Sequence, residues 1–132
     1  MNARPLMIGS ALILAALGLA ASFVPRELLM FLDARPDPLP VLFVQITGGL
    51  YLGFAMLNWM ARESFIGGVY GRAVAAGHFM HFTVVALALL KALIAGPRPP
   101  VVIAGATLYW VLAVAFVRVL LTPPREAGTR GG

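Results

Sequence analysis

The chain has 132 residues, of which 61% are hydrophobic and 11% charged, and its formal net charge is +5. Soluble domains use about 45 to 50% apolar residues, so this composition and the mean hydropathy of +0.92 exclude an ordinary soluble fold and predict an integral membrane protein. The basic residues lie mostly between apolar runs, with no basic, aromatic-rich surface stretch, which argues against nucleic-acid binding. The absence of cysteine excludes disulfides, thiolate catalysis and cysteine-ligated metal sites.

The chain contains four apolar runs, at residues 6–24, 41–61, 73–95 and 101–121. A helix needs about 20 residues to cross a hydrocarbon core of about 30 Å, and backbone polar groups find no water there, so each run is predicted to be a spanning α-helix. The predicted fold class is all-α, an integral membrane four-helix bundle with short loops, in which residues 1–121 form a single transmembrane domain surrounded by the lipid bilayer. The tail, residues 122–132, has too few apolar residues to fold and is predicted to be disordered.

The first run also has features of a secretory signal peptide. Arg4 precedes it, and the small residues Gly18 and Ala20 occur near its end with the spacing of a cleavage site. We expect an uncleaved signal-anchor helix instead, because the segment is present in the chain.

A proline-rich segment, residues 25–40, connects the first two runs and mixes apolar with charged residues, which predicts that it lies at the membrane interface. Pro25 is expected to open a short helix at the level of the headgroups. The chain is then expected to return to the second span in an extended conformation imposed by Pro36, Pro38 and Pro40.

The distribution of basic residues predicts the orientation. Six lysines and arginines fall on the side that carries both termini and four on the other, which favours cytoplasmic termini. The bias toward Ala, Gly, Pro and Arg, with a single Lys, is typical of a GC-rich bacterial genome, so the expected location is a bacterial inner (cytoplasmic) membrane.

Two histidines, His78 and His81, interrupt the third run. They are three residues apart, so on a helix they share a face and are expected to point into the bundle. They are interpreted as hydrogen-bonded structural residues, as a proton-handling or quinone-type small-molecule site, or as ligands of haem or a metal. A metal needs at least a third ligand, and a bis-histidine haem needs ligands on opposite sides of the iron, which requires a homodimer or an outside ligand.

A second group of polar residues is predicted near the cytoplasmic face. Asn58 and Arg118 lie about one turn from the ends of their runs, at a depth similar to that of His78, and Glu63 is the nearest carboxylate. They are predicted to form one polar layer. The alternative is that Arg118 snorkels to the headgroups while Asn58 bonds a neighbouring backbone.

The glycines of the second and third runs are predicted to let helices approach closely. Gly49 and Gly53 form a small-xxx-small pair with Gly48 beside it, and Gly77 precedes the first histidine. The sequence leaves open whether the partner helix belongs to this chain or to another subunit.

The sequence Asn58-Trp59 at the end of the second run, followed by Arg62, resembles the small four-helix bacterial membrane proteins that include DoxX-like proteins. The resemblance implies four spans, and it allows no catalytic residue to be carried over to this chain. Small multidrug transporters also have four spans at this length, but they carry a membrane-embedded glutamate in the first helix, and residues 6–24 contain no acid.

The sequence therefore predicts a noncatalytic accessory or scaffold subunit of a larger membrane complex, with a membrane-protein partner or a second copy of the chain. The first alternative is a membrane protein that binds quinone, haem or a metal through His78 and His81, although no cofactor is required by the sequence. The second alternative is a small transporter, which would need a continuous polar lining.

Overall fold

The computed structural model describes residues 4–63 and 69–122, which form five helices joined by short connections. The helices are α1 (Arg4–Phe23), α2 (Pro25–Phe31), α3 (Pro38–Ala61), α4 (Val69–Ala95) and α5 (Pro100–Leu121). All except α2 are long and apolar enough to cross a membrane, so the predicted all-α membrane bundle is confirmed and the chain is a multi-pass membrane protein in contact with lipid. The predicted disordered tail, apart from Thr122, lies outside the described residues.

The proline-rich segment differs from the prediction in one respect. Pro25 opens the short helix α2 as expected, but α3 begins at Pro38, so the extended return predicted for Pro38 and Pro40 is wrong. The first N–H groups of a helix have no acceptor within the helix, so a proline in the first turn sacrifices no hydrogen bond, and its fixed φ suits the helix. The second span is therefore three residues longer at its start than the apolar run.

A left-handed residue ends α2. Asp33 has a φ of 55°, and it is followed by a hydrogen bond from the Ala34 N–H to the Leu29 carbonyl at 2.9 Å. This bond closes the helix in the manner of a Schellman cap, in which one left-handed residue lets the next N–H reach back to the last turn. The chain leaves the helix at this residue and reaches α3 five residues later, at Pro38.

The described chain divides into two compact helical units. In the first, Arg4–Arg62, α1 packs along α3 and α2 touches both. In the second, α4 packs along α5 after a connection of residues 96–99, which agrees with the predicted short loops. The assignment of residues 1–121 to one domain stays a prediction.

Candidate functional site

A buried side-chain hydrogen bond joins α1 to α3. The Asn58 Nδ2 group donates to Ser10 Oγ at 2.7 Å, and the Ser10 hydroxyl donates to the Leu6 carbonyl at 2.8 Å. Asn58 and Ser10 are almost completely inaccessible, and Asn58 Oδ1 has no hydrogen-bond partner among residues 4–63 and 69–122. A polar group in a dry interior is costly unless it is bonded, so this contact fixes how the two helices face each other.

A double-mutant cycle on Ser10→Ala and Asn58→Ala should reveal a coupling of about 1 kcal/mol in the free energy of unfolding, because each single change removes the same interhelical bond. Thr47→Ala serves as the control, since the Thr47 hydroxyl is exposed and donates only to Phe43 O of its own helix. Unfolding with SDS measures the free energy of unfolding of the single variants, the double variant and the control. Strict additivity of Ser10→Ala and Asn58→Ala would contradict an energetic role for the contact.

The same helix pair crosses at two glycines. A Cβ atom at Gly48 would lie 2.5 Å from Ser22 Oγ, 2.8 Å from Ser22 N and 2.9 Å from Gly18 O. A Cβ at Gly18 would lie 3.0 Å from Gly48 O. Only glycine allows two backbones to approach this closely, so Gly48 performs the predicted packing role. Gly18, one of the small residues of the signal-peptide-like pattern, belongs to this helix contact.

The other predicted packing glycines lie outside this contact. A Cβ atom built at Gly49, Gly53 or Gly77 meets no atom of the described ranges within 4 Å. The small-xxx-small pair of Gly49 and Gly53 is exposed, whereas the adjacent Gly48 is buried. Close packing at these three positions against another subunit stays a prediction.

Five rings form a cluster between α4 and α5, which we call the histidine cluster: His78, His81, Phe82, Tyr109 and Phe116. The helices form this contact because both bring buried residues to one face every three to four positions. On α4 that face is made by Ala75, His78, Phe82 and Ala86; on α5 it includes Ala106, Tyr109, Ala113 and Phe116.

His78 lies at the centre of the histidine cluster. It is completely buried, and its ring stacks on Phe116 with centroids 5.0 Å apart and planes 21° apart. Phe82 touches it at 5.7 Å between centroids. His81 is half-buried, 5.3 Å from the Phe82 ring and 6.0 Å from that of Tyr109. The prediction that the two histidines share a face is confirmed, and that face packs against α5.

A contact of His78 with its own helix determines which ring nitrogen carries the proton. Its Nδ1 atom lies 2.9 Å from the Val74 carbonyl oxygen. Because a carbonyl oxygen only accepts, Nδ1 is the atom that carries a proton, and in the neutral ring Nε2 then carries the lone pair. The Nε2 atoms of both histidines are buried. The bond to Val74 holds the His78 ring in one orientation inside an apolar, aromatic environment. Hydrogen bonds orient metal-ligating histidines in the same way.

The described ranges contain no cluster of three or more histidine, cysteine, aspartate or glutamate side chains that could hold a metal ion. His78 and His81 would supply two ligands at most, and the rings of Phe82 and Phe116 occupy the space beside His78. A metal or haem at this place would need at least one ligand besides the two histidines.

The residues of the predicted polar layer fall in both units. Asn58 belongs to the first unit and Arg118, on α5, to the second. Arg118 and Glu63 are both exposed. The polar layer therefore stays a prediction, while the bond of Asn58 to Ser10 replaces the alternative in which it bonds a neighbouring backbone.

No family model, curated protein or solved structure matches this chain. The likeness to DoxX-like proteins therefore stays a hypothesis that depends on Asn58, Trp59 and Arg62. Two of these residues interact within the last turn of α3, since the Arg62 guanidinium lies 4.3 Å from the centroid of the Trp59 ring and donates to the Trp59 carbonyl at 2.5 Å. This cation–π contact holds the Trp59 ring beside the guanidinium at the end of α3.

Sequence reasoning did not identify Ser10 or Phe116. Ser10 is separated from Asn58 by 48 positions, and no local pattern links them. A weak signal existed for the helix crossing, because Gly18 and Ser22 are themselves a small-xxx-small pair in α1.

Proposed function

We propose that this protein is a noncatalytic accessory or scaffold subunit of a larger complex in the cytoplasmic membrane of a bacterium. The observation that carries the proposal is that the polar side chains within the apolar helices pack against or bond to neighbouring residues of the same helix pair. Asn58 bonds Ser10 across α1 and α3, and His78 is packed between Phe82 and Phe116. These groups serve helix packing, which is what a structural subunit requires of them.

The exposed face of α3 supports a protein partner. Gly49 and Gly53 lie open on this helix, where their missing side chains would let a partner backbone come close. Apolar side chains flank them, with Ile46 50% and Leu50 59% exposed. The partner is another membrane protein or a second copy of this chain. The excess of basic residues on one side supports cytoplasmic termini.

Native mass spectrometry of the protein, extracted in mild detergent from its own membranes, tests the proposal. We expect a stable particle of defined composition, and the same particle from a His78→Phe/His81→Phe variant, because phenylalanine retains the ring packing against Phe82 and Phe116. The absorbance spectrum of each sample is recorded in parallel. A monomer without bound protein in the wild type would contradict the scaffold role.

One alternative has an observation in its favour. The bond of His78 Nδ1 to the Val74 carbonyl directs an Nε2 lone pair into an apolar interior, which suits a haem, metal or quinone contact. Extra mass or visible absorbance in the wild type that disappears in the double variant, without loss of helical content, would make this the better proposal. A small transporter ranks last, because the four apolar runs contain no acidic residue.

A further inference from the structure

One face of α5 carries a wide-open groove of about 380 Å³. Its described lining consists of Trp110, Val111, Val114, Ala115 and Arg118. These positions recur every three to four residues, so they follow one stripe along the helix. The lining is apolar except at Arg118, whose side chain is exposed.

The charged and apolar ends of the groove lie at different depths in the bilayer. The 22 residues of α5 extend about 33 Å, close to the thickness of the hydrocarbon core. Arg118 lies in the last turn of the helix, and Trp110 lies about 12 Å deeper in the span. The cation therefore stands at the level where headgroups begin, and the apolar lining continues from it toward the centre of the membrane.

The charge of Arg118 is not balanced within its own helix pair. The acidic residues of the chain are Glu27, Asp33, Asp37, Glu63 and Glu126, so none occurs between positions 69 and 122. A guanidinium at the edge of hydrocarbon favours an anionic partner, and phosphate suits its planar, multi-donor geometry.

We propose that this groove binds an anionic glycerophospholipid, whose phosphate pairs with Arg118 and whose acyl chain lies along Val111 and Val114 beside Trp110. A lipid is the occupant that the shape and charge favour, because it joins one anion to one long apolar chain in the order that the groove presents them. This site is independent of the proposed scaffold role.

The test uses the full-length protein in micelles that contain equal amounts of phosphatidylglycerol and phosphatidylcholine, with native mass spectrometry to count the retained lipids. The wild type should retain phosphatidylglycerol in preference to phosphatidylcholine. Arg118→Gln should reduce the retained phosphatidylglycerol about fivefold, the effect expected of one basic residue at the membrane surface.

Two further variants make the test specific. Arg72→Gln removes an exposed arginine near the start of α4, at the same end of the hairpin but outside the groove, and should retain the wild-type amount. Val114→Trp fills the groove while Arg118 remains, and should lose the bound phosphatidylglycerol. Val114 is 46% exposed, so the larger side chain does not enter the core, and circular dichroism verifies the helical content.

The proposal is overturned if Val114→Trp retains phosphatidylglycerol like the wild type, since the groove would then not hold the lipid. It is overturned equally if Arg72→Gln and Arg118→Gln have the same effect, because the attraction would then belong to the whole basic surface. Equal retention of both lipids by the wild type would also exclude the site.

Discussion

Replacing Phe116 by alanine is expected to lower the free energy of unfolding by about 2 kcal/mol. The ring is completely buried, stacks on His78 at 5.0 Å and lies 5.5 Å from the Phe82 centroid. Its removal leaves a cavity between α4 and α5. Large-to-small changes in soluble cores cost more, but in a bilayer the transfer of apolar surface contributes little, and the lost packing remains.

The matched control is Phe43→Ala, which deletes the same atoms from a side chain that is 60% exposed on α3. We expect it to change the free energy of unfolding by less than about 0.5 kcal/mol. Unfolding by SDS in mixed micelles, followed by circular dichroism, compares the two variants with the wild type. If the two deletions cost the same, the histidine cluster is not a packed core.

Gly48→Ala is expected to destabilise the α1–α3 pair by about 2 kcal/mol. The added Cβ would come within 3.0 Å of two backbone atoms, Ser22 N and Gly18 O, and neither can rotate away as a side chain does. The helices must therefore separate, which also lengthens the bond between Asn58 and Ser10.

The neighbouring residue provides the control for this prediction. Gly49→Ala places the same methyl group where no described atom lies within 4 Å, so it should be neutral or stabilise the helix by up to about 1 kcal/mol. Ser22→Ala should not rescue Gly48→Ala, because the backbone N of Ser22 remains in the way. Equal effects at the two glycines, or full rescue, would show that the backbones do not approach at Gly48.

Gly48 and Gly49 show that the sequence does not predict which side of a spanning helix faces its neighbour. Adjacent residues differ by about 100° around a helix, so Gly48 can be buried while Gly49 is open. In a soluble protein a polar face would reveal the rotation of the helix, but a spanning helix is apolar on most sides. The small-xxx-small pattern therefore pointed to the helix that packs against α1, while Gly49 and Gly53 themselves lie outside that contact.

The histidines show how much can be predicted when the spacing is short. Positions three apart must share a helical face, so the common orientation of His78 and His81 followed from the sequence. The contacts of the histidines with Tyr109 and Phe116 on α5 could not be predicted in this way. These residues lie on the other helix of the hairpin, and the register between α4 and α5 depends on packing along the whole pair.

The sequence by itself determined the class of this protein: a multi-pass membrane protein with four spanning helices, a short helix opened by Pro25 and short loops between helices. These features are local, since they depend on the length of apolar runs and on the backbone preferences of proline. Only the tertiary structure decided that Asn58 meets Ser10, that α1 and α3 cross at Gly18 and Gly48, and that Phe116 covers His78. Each of these contacts joins residues on different helices, and in lipid such contacts are chosen by close packing and hydrogen bonding, which hydropathy does not encode.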